Sequence, residues 1–242
     1  MTGSEKQAGS LLPEEEATFA GSGEAVPGGT EKTTSVIACG ALAREVLDII
    51  RLNGLPGFSV TCLPAKLHNQ PQFIPDRLRA KIREARPTAS RILVGYADCG
   101  TGGLIDKVIA EETTDDCPVE RIGGAHCYAF FAGQTAFADL AEQELGTFYL
   151  TDYLARHFDT LVVKGMGLDK YPGMIEMMFG NYTRLVYLAQ TDDPVLDDKA
   201  RQAADKLGLS FLRVRTGYGE LADFLNVPPG RDKTVRKGGG AV

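Results

Sequence analysis

No apolar run in the chain approaches the roughly 20 residues needed to cross a bilayer, which excludes a membrane-spanning helix. The start is polar and acidic, so it lacks the basic stretch and apolar core of a signal peptide, and a cytoplasmic location is expected. Basic residues are not in excess either. Lys and Arg number 26 against 32 Asp and Glu, for a net charge of −6. A nucleic-acid partner needs a basic face, so none is expected, and no membrane partner is expected. Histidine is scarce at three residues, and the five cysteines are an odd number that suggests reduced thiols rather than a disulfide framework. No C-x-x-C or H-x-x-x-H spacing occurs, and no Gly-Lys-Ser/Thr follows a glycine cluster, so neither a compact metal motif nor a P-loop is present.

What is present is ordinary globular composition, 43% hydrophobic and 24% charged. That suffices for one large domain with a buried core. Residues 1–33, with Glu14-Glu15-Glu16 and few large apolar side chains, cannot bury enough surface to offset ordering entropy and are expected to be disordered. A second disordered tail is expected over 228–242, leaving a single domain at 34–227.

Within that domain, short apolar runs alternate with helical patterns. Strands are expected at Ser35–Ala38, Phe58–Leu63, Arg91–Tyr96, Pro118–Ile122, Thr160–Lys164, Thr183–Ala189 and Ser210–Val214. Helices are expected between them, including one that carries Leu42, Val46, Ile49 and Ile50 with Arg44, Glu45 and Asp48 on its other face. Others are expected near 76–86, 104–111, 134–145, 148–158, 173–179, 194–207 and 218–225. The alternation implies parallel βαβ units with right-handed crossovers. The expected fold is α/β and Rossmann-like, with a mostly parallel sheet of about 6–7 strands and helices on both faces. That count falls short of a closed eight-stranded barrel.

In open parallel sheets, ligands bind outside the carboxyl ends of the strands. Cys39 follows the first expected strand, His68 lies in the loop after the second, Asp98 and Cys99 follow the third, and His126 and Cys127 follow the fourth. Cys39, His68, Cys99 and one of His126 or Cys127 are a thiolate and imidazole set suited to zinc. Adjacent residues rarely face one metal, so His126 and Cys127 should divide the roles of ligand and packing or supporting group. Against this stands a purely structural set, because cysteine is among the most buried residue types. A thiol can also work without a metal: Cys99, between Asp98 and a glycine run at a helix start, has a setting that lowers thiol pKa, with His126 as a base. Gly100-Thr101-Gly102-Gly103 resembles a phosphate cradle, although a tight turn explains it as well. Cys62 reads as core, Cys117 as structural or exposed, and His157 as a cation suited to a helix end. Lys164, Asp169, Lys170, Tyr171, Asp152, Glu176, Asn181 and the Met174, Met177, Met178 and Phe179 patch are further polar or adaptable groups on the downstream elements.

Ala38-Cys39-Gly40, Leu67-His68-Asn69, Tyr96-Ala97-Asp98-Cys99-Gly100, Gly124-Ala125-His126-Cys127-Tyr128 and Lys170-Tyr171-Pro172-Gly173 together resemble the DUF1638 family of bacterial and archaeal proteins, over roughly residues 35–226. The resemblance carries no established activity. It implies an association with corrinoid-dependent methyltransferases of methylated-amine metabolism, and hence a corrinoid protein or methyltransferase as partner, with the corrinoid supplied through that partner. Enzymes that move methyl groups from corrinoids to thiols use zinc held by Cys and His. Two expectations follow. One is a zinc-dependent enzyme or enzyme component of one-carbon transfer acting on a small-molecule substrate through Cys99 and Asp98. The other is a non-catalytic accessory module that docks a small molecule or a protein at the same edge.

Overall fold

The computed structural model describes residues 17–20 and 33–226, and the rest of the two expected tails lies outside the described residues. Inside the first of these expected tails, Ala17–Ala20 forms a strand, β1. The next strands are β2 (Thr33–Cys39), β3 (Phe58–Leu63), β4 (Ala89–Gly95) and β5 (Val119–Arg121). Helices α1 (Ala43–Leu52), α2 (Ile74–Ala85) and α3 (Leu104–Glu112) link the last four. The central strands β2 and β4 are buried on both faces along most of their length, which is why they read as continuous apolar runs rather than alternating ones.

The sheet order is β1-β3-β2-β4-β5, with β1 antiparallel to β3 and the other pairs parallel. The chain moves from β2 to β3 in one direction and then crosses over β2 to reach β4 on the other side. Right-handed crossovers in opposite directions place α1 and α2 on opposite faces. The order reverses between β2 and β4, and a crevice opens outside their carboxyl ends.

One expectation is corrected here: the strands do not form a single sheet of 6–7. A second, three-stranded parallel sheet has the order β6-β7-β8, from β6 (Thr147–Leu150), β7 (Arg184–Ala189) and β8 (Ser210–Arg215). The strand expected at Thr160–Lys164 is also displaced. Thr147–Leu150 is the strand, α6 spans Asp152–Phe158, and Asp159–Lys164 continues as a wide helical turn after a kink at His157. Val162 and Val163 are buried there, and a short buried apolar run does not by itself distinguish a strand from a helix.

The remaining helices are α4 (Tyr128–Ala132), α5 (Gln134–Gln143), α7 (Met174–Phe179), α8 (Pro194–Leu207) and α9 (Gly219–Asn226). Two buried clusters result. The first is built on β2 to β5 and completed by Leu221, Phe224 and Leu225 of α9, which packs on α1 and α4. The second gathers Leu150, Phe158, Leu185, Tyr187, Leu196 and Ala204. The halves meet where α6 packs on the short helical turn Gly40–Leu42, directly after β2. No helix among the described residues is long and apolar enough to cross a membrane.

Candidate functional site

Cys39 ends β2, with its sulfur turned back to accept the Ala41 N–H at 3.4 Å and cap the helical turn that follows. Gly40 permits the tight exit from the strand, since a side chain there would come within 3.0 Å of the Leu63 carbonyl at the end of β3. From the loop after β3, His68 brings Nδ1 to 3.6 Å from the Cys39 sulfur and 3.2 Å from the Ala65 carbonyl oxygen. A carbonyl oxygen can only accept, so Nδ1 carries a proton, and in the neutral ring Nε2 is left as the acceptor nitrogen. Metal-bound histidines are held in this way, with the other ring nitrogen donating to a backbone carbonyl or carboxylate.

Cys99 follows β4 and is the only described non-glycine residue with positive φ, at 52°. Strained backbone of this kind persists where the surroundings hold it and gathers at functional sites. Here the Asp98 N–H donates to the Gly124 carbonyl and the Cys99 N–H to the Ala125 carbonyl, at 3.0 and 3.1 Å. Those two bonds lash the end of β4 to the loop after β5 and bring Cys127, at the start of α4, to the same place. Cys39, His68, Cys99 and Cys127, with Tyr96, line one cavity of about 10 Å³. That is at the lower limit for a single water molecule.

The electrostatics of the thiols follow from burial. Burial pushes Cys39 up to about 11, against the Ala41 N–H and the nearby Tyr96 hydroxyl, which favour the thiolate. Burial raises Cys127 too, helped by the neighbouring Cys99 and Cys39. Withdrawal from water would lower His68, but its contact with Cys99 and the Ala65 carbonyl carries the net shift upward. Among the described residues, no group of three or more His, Cys, Asp or Glu side chains is arranged to hold a metal ion. The donors surround the cavity without closing a coordination shell.

Of the expected set, then, Cys39, His68, Cys99 and Cys127 are brought together. His126 is not. It is exposed, and its ring lies 6.4 Å from that of Tyr128, outside the cavity lining. Adjacent residues point apart at the start of a helix, and here Cys127 is the one turned inward. Asp98 and the glycine loop also take another role. The Asp98 carboxylate accepts the Gly103 N–H at 2.7 Å, the Gly102 N–H at 3.1 Å and the Thr101 hydroxyl at 2.9 Å. A carboxylate of the chain itself thus occupies the donors that a phosphate would need, and Asp98 caps the loop in place of reaching the thiols.

Cys62 is fully buried in β3, and Cys117 is buried beside the short bridge between Thr114 and Cys117. All five cysteines are free thiols. His157 packs against Tyr153, and burial together with Arg156 and Lys199 pushes its pKa down, so the cationic form expected at the helix end is disfavoured. Asp152 is enclosed at 1% exposure, accepting from the Tyr187 hydroxyl and from the N–H groups of Gln190 and Thr191. Lys164, Asp169, Lys170, Tyr171, Glu176 and Asn181 do not line the cavity, while Met174 and Met178 pack on the second core and Met177 is exposed.

Two residues at the site carry no signal in the loop pattern. Tyr96 stacks near His68 at 6.4 Å between ring centroids and 18° between planes, and its hydroxyl is buried without a well-formed hydrogen bond. Glu45, expected on the polar face of α1, is 3% exposed, and its Oε2 has no hydrogen-bond partner. Burial, reinforced by Asp152, raises its carboxyl to about 7, although Arg156 opposes this. Residues 42, 45, 46 and 49 lie on one helical stripe, so the spacing does place Glu45 on the apolar side.

The fold and the site together define an α/β protein whose soft donors meet at the point where the strand order of a parallel sheet reverses. A family model described as a protein of unknown function, DUF1638, matches residues 62–225, and the chain belongs to that family. His68, Cys99 and Cys127 lie inside the match and Cys39 before it. No curated protein and no solved structure matches the chain.

Proposed function

We propose that the protein is a zinc-dependent enzyme, or a component of one, in corrinoid-linked one-carbon transfer. Cys39, His68, Cys99 and Cys127 are the residues that would hold the metal. The observation that carries this reading is the convergence of three thiols and one imidazole, from four separate loops, on a single cavity of about 10 Å³. Such a set suits zinc by donor chemistry. His68 fits it further, since the Ala65 carbonyl fixes the tautomer that frees Nε2. The strand order β3-β2-β4-β5 supports reading the first half as Rossmann-like, with the site at its switch point.

Zinc bound there would act as a Lewis acid that holds a thiol as thiolate at neutral pH. The chain's own residues supply the rest. The Ala41 N–H and Tyr96 hydroxyl favour a thiolate at Cys39, and Ala65 orients His68. Cys99 and Cys127 are half-buried where Cys39 is buried, so they are the cavity thiols a methyl donor or acceptor would reach.

Metal analysis after anaerobic purification tests the reading. About one equivalent of zinc per chain is expected, and less than about a tenth of an equivalent in folded protein would overturn it.

The size of the cavity favours a second reading. It has no room for an organic substrate, which suits an accessory module that docks on a corrinoid protein or methyltransferase and does no chemistry of its own. Tyr171 at 64% and Met177 at 72% exposure give such a module apolar surface. Metal-bearing protein that stimulates methyl transfer by a corrinoid protein supports the enzyme reading; retention of that partner without any stimulation supports the module.

A further inference from the structure

The second half of the molecule carries a separate groove between α6 and α8, of about 240 Å³. Lys199, Gln202, Ala203 and Lys206 form its α8 wall, and Arg156 and Asp159 face them from the end of α6. The α8 residues recur at i, i+3, i+4 and i+7, so they occupy one stripe of the helix. Three cations and one carboxylate therefore meet at the groove, a surplus of two positive charges in a chain whose net charge is −6.

The cations here differ from most others in the protein. Arg79, Arg83, Arg86, Arg121, Arg213 and Arg215 each sit on a carboxylate. Arg156 and Lys199 form no ion pair among the described residues, and Lys206 makes only an exposed 3.5 Å contact with Asp159. Arg156 and Lys199 both lie near enough to His157 to add to the effect of its burial in pushing it down, so the two cations share one neighbourhood. Unpaired cations held close together repel one another, and a dianion placed between them removes that repulsion.

We propose that this groove binds a phosphate dianion, free or as the phosphate of a small ester, through Arg156, Lys199 and Lys206. Arg156 supplies a planar pair of donors suited to two phosphate oxygens, the lysines supply point charges, and the Gln202 amide is a further donor. The groove is smaller than the roughly 300–1,000 Å³ of drug-sized ligand pockets, which limits the ester to a short one. The groove is a different place from the cysteine cavity, and neither needs the other to be occupied.

The test is a titration of the full chain with inorganic phosphate and with glycerol 3-phosphate at low chloride, followed by amide chemical shifts. Saturable shifts confined to the amides of residues 155–160 and 199–206 are expected. Lys199→Glu and Arg156→Gln should each weaken binding roughly tenfold or more, and Lys107→Glu on the exposed face of α3 should leave it unchanged. Lys199 is exposed, so its variant folds even if the Arg156 change disturbs packing. An ester that binds about tenfold tighter than phosphate assigns the groove to an organic phosphate, and equal affinity assigns it to the free ion. No saturable shift with either probe, or an equal loss in Lys107→Glu, would overturn the proposal.

Discussion

The carboxylate of Asp98 receives the N–H of Gly103 at 2.7 Å, closing the loop that links β4 to α3 from within. This bond does most to hold Asp98 below the usual carboxylate range, with the Thr101 hydroxyl and Gly102 N–H adding to it against the effect of burial. A carboxylate depressed in the folded state stabilises above its unfolded value, and the contribution disappears as pH falls through the folded value. Asp98→Ala should therefore lower stability by about 0.5–2 kcal/mol at pH 7, the usual cost of losing a helix cap. The gap between variant and wild type in urea denaturation should narrow toward pH 3; a gap that stays constant with pH would contradict the role.

Glu45 predicts the opposite pH dependence. Its carboxyl is raised to about 7 in the folded state by burial. Folded protein then holds a proton that unfolded chain has released, so this residue makes stability fall as pH rises from about 4.5 to 7. Glu45→Gln keeps the shape and removes the titration. The variant should be more stable than wild type at pH 8, on the order of 1–3 kcal/mol, with little difference at pH 4.5. Paired denaturation curves at the two pH values decide it, and a variant less stable at pH 8 would show that the ionised carboxylate has a partner.

The cysteine cavity makes a prediction by exclusion. Cys39→Ser, Cys99→Ser, Cys127→Ser and His68→Ala should each reduce bound zinc at least tenfold, whereas His126→Ala should retain the wild-type amount. Plasma emission analysis of anaerobically prepared protein reads the result. Equal losses in His68→Ala and His126→Ala would place the ligands elsewhere.

Asp152 ties the start of α6 to the end of β7. Replacing it by alanine leaves the Tyr187 hydroxyl and the N–H groups of Gln190 and Thr191 buried without an acceptor. A loss of about 3–5 kcal/mol is expected, because donors aimed at a buried charge are left without one. Asp152→Asn, which keeps an oxygen acceptor in place, should recover part of that loss in thermal unfolding.

How far the sequence discloses this arrangement depends on the kind of signal. Phe58–Leu63 and Pro194–Leu207 are legible to the residue, since a short β-rich run stopped by a proline, a proline at a helix's first turn and a glycine after its last are local facts. The strand ends were legible for the same reason, and Cys39, His68, Cys99 and Cys127 could be picked from them. The division into two sheets was not, because which strands pair depends on contacts distant in sequence. Thr147–Leu150 falls largely within the helix expected at 148–158, because four residues are too few to set a strand period. The role of Asp98 was hidden as well: a glycine run after a strand looks alike whether its N–H groups meet a phosphate or a carboxylate five residues earlier. Tyr96 reads as one more apolar strand residue until His68 is known to lie over it.

The placement of α9 bears on how the chain is made. Leu221, Phe224 and Leu225 complete a hydrophobic core otherwise assembled from residues 36–131, and they are among the last described residues to be synthesised. During translation the cysteine-bearing half has its strands early but lacks one wall, while the β6–β8 half has its residues in a single stretch. The first half therefore leaves apolar surface uncovered on α1 and α4 until residues 219–226 have emerged, and a nascent chain stalled before residue 219 should be a chaperone client or a protease substrate.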